Sequence, residues 1–303
     1  MKVKANGIDI EVEDTGGSGE PLLLIMGLGC QLVHWPSYFV QPLVEAGYRV
    51  IRLDNRDIGL SQYFPQFGRP NPTWGGLMLA LGRELHAPYT LGDMAADALG
   101  VLDALGIARA HVAGASMGGM IAQRLALAAP ERVRSLVSIM SSSGARGLPR
   151  PEPHVVRAML ARPRAGGREA LLRYYVELYR TIGGPSYDQP EADLRAAIEV
   201  SLNRAQNPDG MLRQLRAIMA DTRRADELTR MRVSALVLHG REDPLVPVNC
   251  GADTARRIPD SRYVVIDRMG HALPPSVSRP VVAEMLPFLR AHPIEAAESA
   301  LAA

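Results

Sequence analysis

The sequence predicts an α/β fold: a mostly parallel sheet flanked by helices and interrupted by one inserted helical lid. Three observations carry that expectation. Short apolar runs of strand length alternate with segments of helical spacing as far as residue 143, the arrangement that parallel strands joined by crossover helices require. The rhythm then stops, and residues 144–232 are rich in Arg and Pro, with four helical stretches and no convincing strand. Strand-like runs resume with "SALVLHG". The expected organisation is one core made of residues 1–143 and 233–303, with 144–232 as the lid.

Taken in order, residues 3–13 alternate apolar and polar around Asn6-Gly7, a dipeptide suited to a tight hairpin turn, so the chain opens with an antiparallel ribbon. "PLLLIMG" is a buried strand ending in glycine, residues 37–46 have helical spacing, and "YRVIRLD" at 48–54 is the next strand. Residues 64–88 form a second, shorter irregular insertion. In "LGDMAADALGVLDALGI", Leu91, Met94, Ala95, Ala98, Leu102 and Leu105 fall along one helical stripe that should pack on the sheet. "AHVAGA" is a short buried strand, "MGGMIAQRLALAAP" a helix stopped near Pro130, and "RVRSLVSIM" a further strand. Helices are expected near 152–162, 167–182, 190–204 and 208–221, then the strands "SALVLHG" and "RYVVID", a last helix near 277–292, and an alanine-rich tail that frays after Pro293.

Composition excludes several function classes. With 47% apolar residues in 303 and a formal net charge of only +2, the chain can bury a large core and offers no electrostatic footprint for nucleic acid. Its two lysines, Lys2 and Lys4, precede no apolar stretch, so the start reads as neither secretion signal nor anchor, and no uncharged run is long enough to span a membrane. Cys30 and Cys250 lie far apart without metal-ligand spacing, which points to reduced thiols in a cytoplasmic protein.

The stretch "AHVAGASMGGM" places Ser116 between Gly114 and Gly118 where a strand reverses into a helix. Such a reversal crowds the positions two residues either side, so small residues are needed there, and "GASMG" matches the nucleophile elbow G-x-S-x-G in letters and context. A serine hydroxyl is a weak nucleophile at neutral pH and needs a base, oriented by a third group. "VLHGREDPLVP" offers Asp243 beyond a strand; its neighbour Glu242 is the rival, but the position before Pro244 is better placed to project a carboxylate. Of seven histidines, only His271 in "VVIDRMGHALP" combines a loop position with the order Ser, Asp, His; His111 and His239 read as strand or core residues. All three would sit where parallel strands end on one sheet edge. Asp54, Arg56 and Asp57 in "LDNRDIGLS" are assigned to structural ion pairs.

With the elbow, the "GREDPLVP" acid loop and the "GH" base loop together, the chain resembles the α/β-hydrolase family, in its single-lid serine esterase branch, and the likeness covers nearly all of the chain outside the lid. "LDNRDIGLS", "MGHALPPSV" and the "MG" loop look like the branch of the aclacinomycin methylesterases and related bacterial carboxylesterases. The resemblance implies an α/β-hydrolase fold of about eight strands, a lid over the pocket, and an oxyanion hole made by the backbone N–H groups of Leu28 and Met117. Met26 stands where the family more often has histidine. Trp35, Cys30 and Trp74 are candidates to line the substrate pocket. The expected function is hydrolysis of a small-molecule carboxylic ester through an acyl-enzyme, with no metal or organic cofactor. Lactonase, carbon–carbon bond hydrolase, amidase or peptidase and cofactor-free perhydrolase share the machinery, and a non-catalytic ligand receptor is a remote alternative. Dehalogenases and epoxide hydrolases of this fold carry aspartate where Ser116 stands.

Overall fold

A computed structural model describes residues 1–71, 83, 85–161 and 165–294. Residues 72–82 and 84 of the 64–88 insertion, Trp74 among them, and the tail from residue 295 lie outside them.

Among the described residues, eight strands form one sheet in the order β1-β2-β4-β3-β5-β6-β7-β8. β1 (Lys2–Ala5) and β2 (Ile8–Asp14) pair antiparallel across the Asn6-Gly7 turn, where both residues have positive φ (48° and 78°), as such two-residue hairpins demand. β2 pairs antiparallel with β4 (Arg49–Leu53); from there β3 (Pro21–Ile25), β5 (Ala110–Ala115), β6 (Val133–Ile139), β7 (Ala235–Gly240) and β8 (Ser261–Ile266) run parallel.

Alternation along β3 explains the two apolar layers: Leu23 and Ile25 join one core cluster, Leu22 and Leu24 the other. Helices α1 (Ser37–Glu45), α2 (Leu91–Ala104) and α3 (Met117–Ala128) follow β3, the irregular segment and β5. Leu91, Met94, Ala95, Ala98 and Leu102 of α2 are all buried in the first cluster, and Leu105 packs against it, so the helical stripe in the sequence is the sheet-facing side. The strands end together at their C-terminal edge, where the functional loops emerge.

Between β6 and β7 the chain leaves the sheet and makes α4 (Pro153–Leu160), α5 (Gly167–Gly183), α6 (Glu191–Arg204), α7 (Pro208–Ala220) and the single turn α8 (Arg224–Glu227). Leu172 and Val176 of α5 with Leu194, Ile198 and Leu202 of α6 form a separate small core, so these helices stabilise one another before they touch the sheet. α9 (Val248–Arg257) and α10 (Pro275–Arg290) complete the helices. No helix among the described residues is long and apolar enough to cross a membrane.

Charged hydrogen bonds moor the insertion to the loop after β4. Arg213 of α7 donates to both Asp57 oxygens, each at 2.8 Å, and Arg204 of α6 reaches Asp54 at 2.5 Å. Arg56 turns the other way and forks onto Asp97 of α2, at 2.6 and 2.7 Å. All three residues of "LDNRDIGLS" singled out for ion pairs are thus buried in them.

Candidate active site

The turn from β5 into α3 is as sharp as its letters suggest. Ser116 has φ 55° and ψ −120°, a strained backbone for a residue with a side chain, and the residues two positions either side have room only for glycine. A Cβ on Gly114 would lie 2.1 Å from the Gly118 carbonyl oxygen, and one on Gly118 would lie 2.0 Å from the carbonyl oxygen of Ile25. The elbow is held by the Ser116 N–H donating to Ile139 (2.9 Å) and by the Ser141 hydroxyl donating to the Ser116 carbonyl (2.7 Å).

Asp243 follows β7 and His271 follows β8, and the structure brings both to Ser116. His271 Nε2 lies 2.9 Å from Ser116 Oγ, and Nδ1 lies 2.7 Å from Asp243 Oδ2. The other Asp243 oxygen accepts the N–H groups of Leu245 (2.9 Å) and Val246 (2.8 Å), the turn that "DPLVP" makes. Burial opposes the charge on Asp243, but the facing His271 and the hydrogen-bonding histidines outweigh it and hold the carboxyl down at about 2. An ionised Asp243 fixes the proton of His271 on Nδ1, leaving Nε2 free to accept from serine. The rival acid, Glu242, is engaged elsewhere: its two oxygens accept the N–H and hydroxyl of Ser186, each at 3.0 Å.

The two loops that carry the base and the acid are locked together by glycines. A Cβ on Gly240 would meet the Met269 carbonyl at 2.1 Å, and one on Gly270 the Gly183 carbonyl at 2.0 Å. The His271 N–H donates to Ile182 at 2.8 Å, so the last turn of α5 supports the histidine loop.

Met26–Cys30 pass directly over the serine: a Cβ on Gly27 would lie 3.1 Å from Ser116 Cβ. This loop is pinned by Asn55, which donates to the Met26 carbonyl (2.8 Å), and by Gln214 of α7, which accepts the Gly29 N–H (3.0 Å). Gln214 is marked by no local sequence pattern, and Asn55 stands inside "LDNRDIGLS" without being singled out there. Leu28 and Met117 both line the cavity above Ser116, and the Met117 N–H, first in its helix, has no intrahelical acceptor.

That cavity holds about 440 Å³ and lies between the sheet edge and helices α4 to α7. Six of the chain's 13 methionines line it (Met26, Met117, Met120, Met140, Met159 and Met211), with Leu178, Ile182, Ile198, Leu215 and Ile218. Cys30 is also in its wall, and burial pushes its thiol up to about 11, so it stays protonated and is no nucleophile. Trp35 corrects the sequence reading. It is fully buried against Phe39 in the second core cluster, 4.9 Å between ring centroids, and does not line the cavity, because its large apolar ring packs with Leu22, Leu24 and the apolar face of α1 instead. Its neighbour His34 faces the cavity instead. Among the described residues no group of three or more His, Cys, Asp or Glu could hold a metal ion.

Comparison with known proteins agrees with this architecture. Residues 20–274 match the family model described as alpha/beta hydrolase fold. The rhodomycin D methylesterase DauP of Streptomyces sp. (strain C5) is 32% identical over 289 residues, covering 89% of this chain and 91% of that protein. The rhodomycin D methylesterase DnrP of Streptomyces peucetius is 32% identical over 290 residues with the same coverage, 89% and 91%. The crystal structure of a meta-cleavage product hydrolase from Pseudomonas fluorescens IP01 superposes with a TM-score of 0.73 at 20% identity, covering 96% of this chain and 97% of that one, a likeness of fold.

Proposed function

The chain belongs to the alpha/beta hydrolase family and is a serine ester hydrolase within it, and on that premise we propose that Ser116, His271 and Asp243 carry the hydrolysis of a methyl ester of a bulky, flat, apolar acid. The observation behind this reading is the continuous hydrogen-bond chain from Asp243 through His271 to Ser116, opening into an apolar cavity.

In this mechanism His271 Nε2 takes the proton of Ser116 as the oxygen attacks the ester carbonyl. The developing oxyanion is met by the Leu28 and Met117 N–H groups, and His271 then returns the proton to the departing alkoxide. Water repeats the cycle on the acyl-enzyme, restoring Ser116 and releasing the acid. Asp243 keeps the imidazole in its productive tautomer and stabilises the imidazolium. In this reading α4 to α7 act as a lid over the acyl group, and residues 144–232 are the lid insertion, α5 and α6 packing on a small core of their own while Ala217, Leu228 and Met231 are buried with the sheet. Methionine sulfurs favour the faces and edges of aromatic rings, which is why a flat acyl group suits this wall, and the methylester relatives supply the small alcohol. The unpaired thiols of Cys30 and Cys250 suit a reducing, cytoplasmic setting.

The test is turnover of p-nitrophenyl esters and of methyl naphthoate by wild type and Ser116→Ala. Ser116→Ala should lose at least about 1000-fold in kcat on both substrates. Near-wild-type turnover in that variant would overturn the assignment of the nucleophile, and turnover of short p-nitrophenyl esters without any methyl naphthoate hydrolysis would overturn the substrate class.

A further inference from the structure

His34 is a polar group in the cavity that the hydrolytic steps leave unused. It ends the short helix Leu32–His34 just beyond the loop over the serine. Its Nδ1 lies 2.9 Å from the Gln31 N and 3.1 Å from the Gln31 carbonyl oxygen. The carbonyl already accepts the His34 N–H at 3.0 Å, whereas the Gln31 N–H is satisfied only if Nδ1 accepts it. Assigned by that network, the ring is the neutral tautomer with its proton on Nε2. Nε2, on the far side of the ring, meets no acceptor among the described residues, and His34 lines the cavity. Burial holds its ordinary titration down to about 4, against the opposing pull of Gln31, so the ring is a neutral donor throughout the working range.

The ring is also held in orientation. It stacks on Tyr179 of α5 at 6.3 Å and 12°, and the Tyr179 hydroxyl lies 4.0 Å from the Cys30 sulfur. Gln31 in turn donates to the Ser201 and Ala205 carbonyls, each at 2.9 Å, which fixes the segment against α6.

We propose that His34 is a specificity-determining residue, donating its Nε2–H to a hydroxyl or ketone oxygen on the ring system of the acyl group. A preorganised donor in a mostly apolar wall discriminates, because an acyl group without that oxygen leaves the donor unpaired when it covers it. The inference rests on the reading of Ser116 as nucleophile and of the cavity as the acyl site.

The experiment compares kcat/KM for methyl naphthoate and a set of its ring-hydroxylated derivatives in wild type, His34→Asn and His34→Gln, each normalised to the fraction of serine labelled by a fluorophosphonate probe. An asparagine can replace Nδ1 as acceptor for the Gln31 N–H but presents no donor at the Nε2 position; glutamine extends its amide toward that position. Wild type should prefer at least one hydroxylated ester by about tenfold, His34→Asn should abolish that preference, and His34→Gln should restore part of it. Equal kcat/KM across the series in wild type, or a preference unchanged in His34→Asn, overturns the proposal. Loss of fluorophosphonate labelling in the wild type would instead strike the underlying reading of Ser116, so the two failures are distinguishable.

Discussion

Burial works against the charge on Asp243, and the histidines that face it win; the consequence is a pH-dependent contribution to stability. The carboxyl titrates at about 2 in the folded protein against an ordinary value of 3.8. A folded-state value below the unfolded one gives stability that is fully present above the unfolded value and lost as pH falls through the folded one. For a shift of this size the contribution is about 2 kcal/mol. Urea unfolding of wild type and Asp243→Asn should therefore show a stability gap that is widest above about pH 4 and narrows by about that amount towards pH 2; a gap independent of pH would contradict the ionised, paired carboxylate. At neutral pH the same substitution should lower kcat by about 10⁴-fold with little change in KM, since the wrong imidazole tautomer faces serine. Ser116, Asp243 and His271 could be singled out in the sequence because the elbow letters and the order of the three are local or linear features. His34 could not. What makes it a cavity donor is Tyr179 and Ser201, supplied by helices far down the chain, and nothing around "LVHW" distinguishes its imidazole from the tryptophan beside it, which is buried in the core.

At the scale of elements, the elbow couples two loops through one contact. Gly118 at the start of α3 approaches the Ile25 and Met26 carbonyls so closely that a Cβ would lie 2.0 Å and 2.9 Å from them. Neither carbonyl can yield without moving the end of β3, and with it the Met26–Cys30 loop over the serine. Gly118→Ala should destabilise the protein by about 1–3 kcal/mol, as overpacking does. It should lower kcat more than that loss of stability explains, because the Leu28 N–H would be displaced from its proposed oxyanion position. Thermal unfolding and fluorophosphonate labelling on the same preparation separate the two effects; wild-type kcat in a folded Gly118→Ala protein would show that the close approach does not set the loop. The elements themselves were readable because each strand and helix satisfies its own period. The α2 stripe and the buried "PLLLI" run are both decided by which face meets the sheet, and the four helices after β6 begin and end within a few residues of where spacing, proline and glycine put them.

For the molecule as a whole, the insertion is joined to the sheet by buried charge pairs as well as by Ala217, Leu228 and Met231, which are buried in the first core cluster, and the charged part of this joint was only half visible in the chain. "LDNRDIGLS" announces buried ion pairs, but their partners Arg204 and Arg213 sit among the many arginines of 144–232, where no spacing separates a mooring residue from a solvated one. The bidentate pair of Arg213 with Asp57 is nearly inaccessible on both sides, with side-chain exposures of 2% and 0%. Removing one member leaves the other charged and unpaired, whereas removing both removes the desolvation problem as well. Arg213→Ala should therefore cost about 3–5 kcal/mol, and Arg213→Met combined with Asp57→Asn should recover most of that loss. Arg213 also precedes Gln214, which holds the Gly29 N–H, so displacement of α7 reaches the loop over Ser116. The expected kinetic signature is a raised KM for methyl naphthoate in Arg213→Ala, with turnover of p-nitrophenyl acetate affected far less, because only the larger acyl group needs the wall that α7 provides. If both substrates lose activity in equal proportion, the pair supports the catalytic loop itself rather than the ceiling of the cavity; if the double variant is no more stable than Arg213→Ala, its energetics are not those of an isolated buried pair.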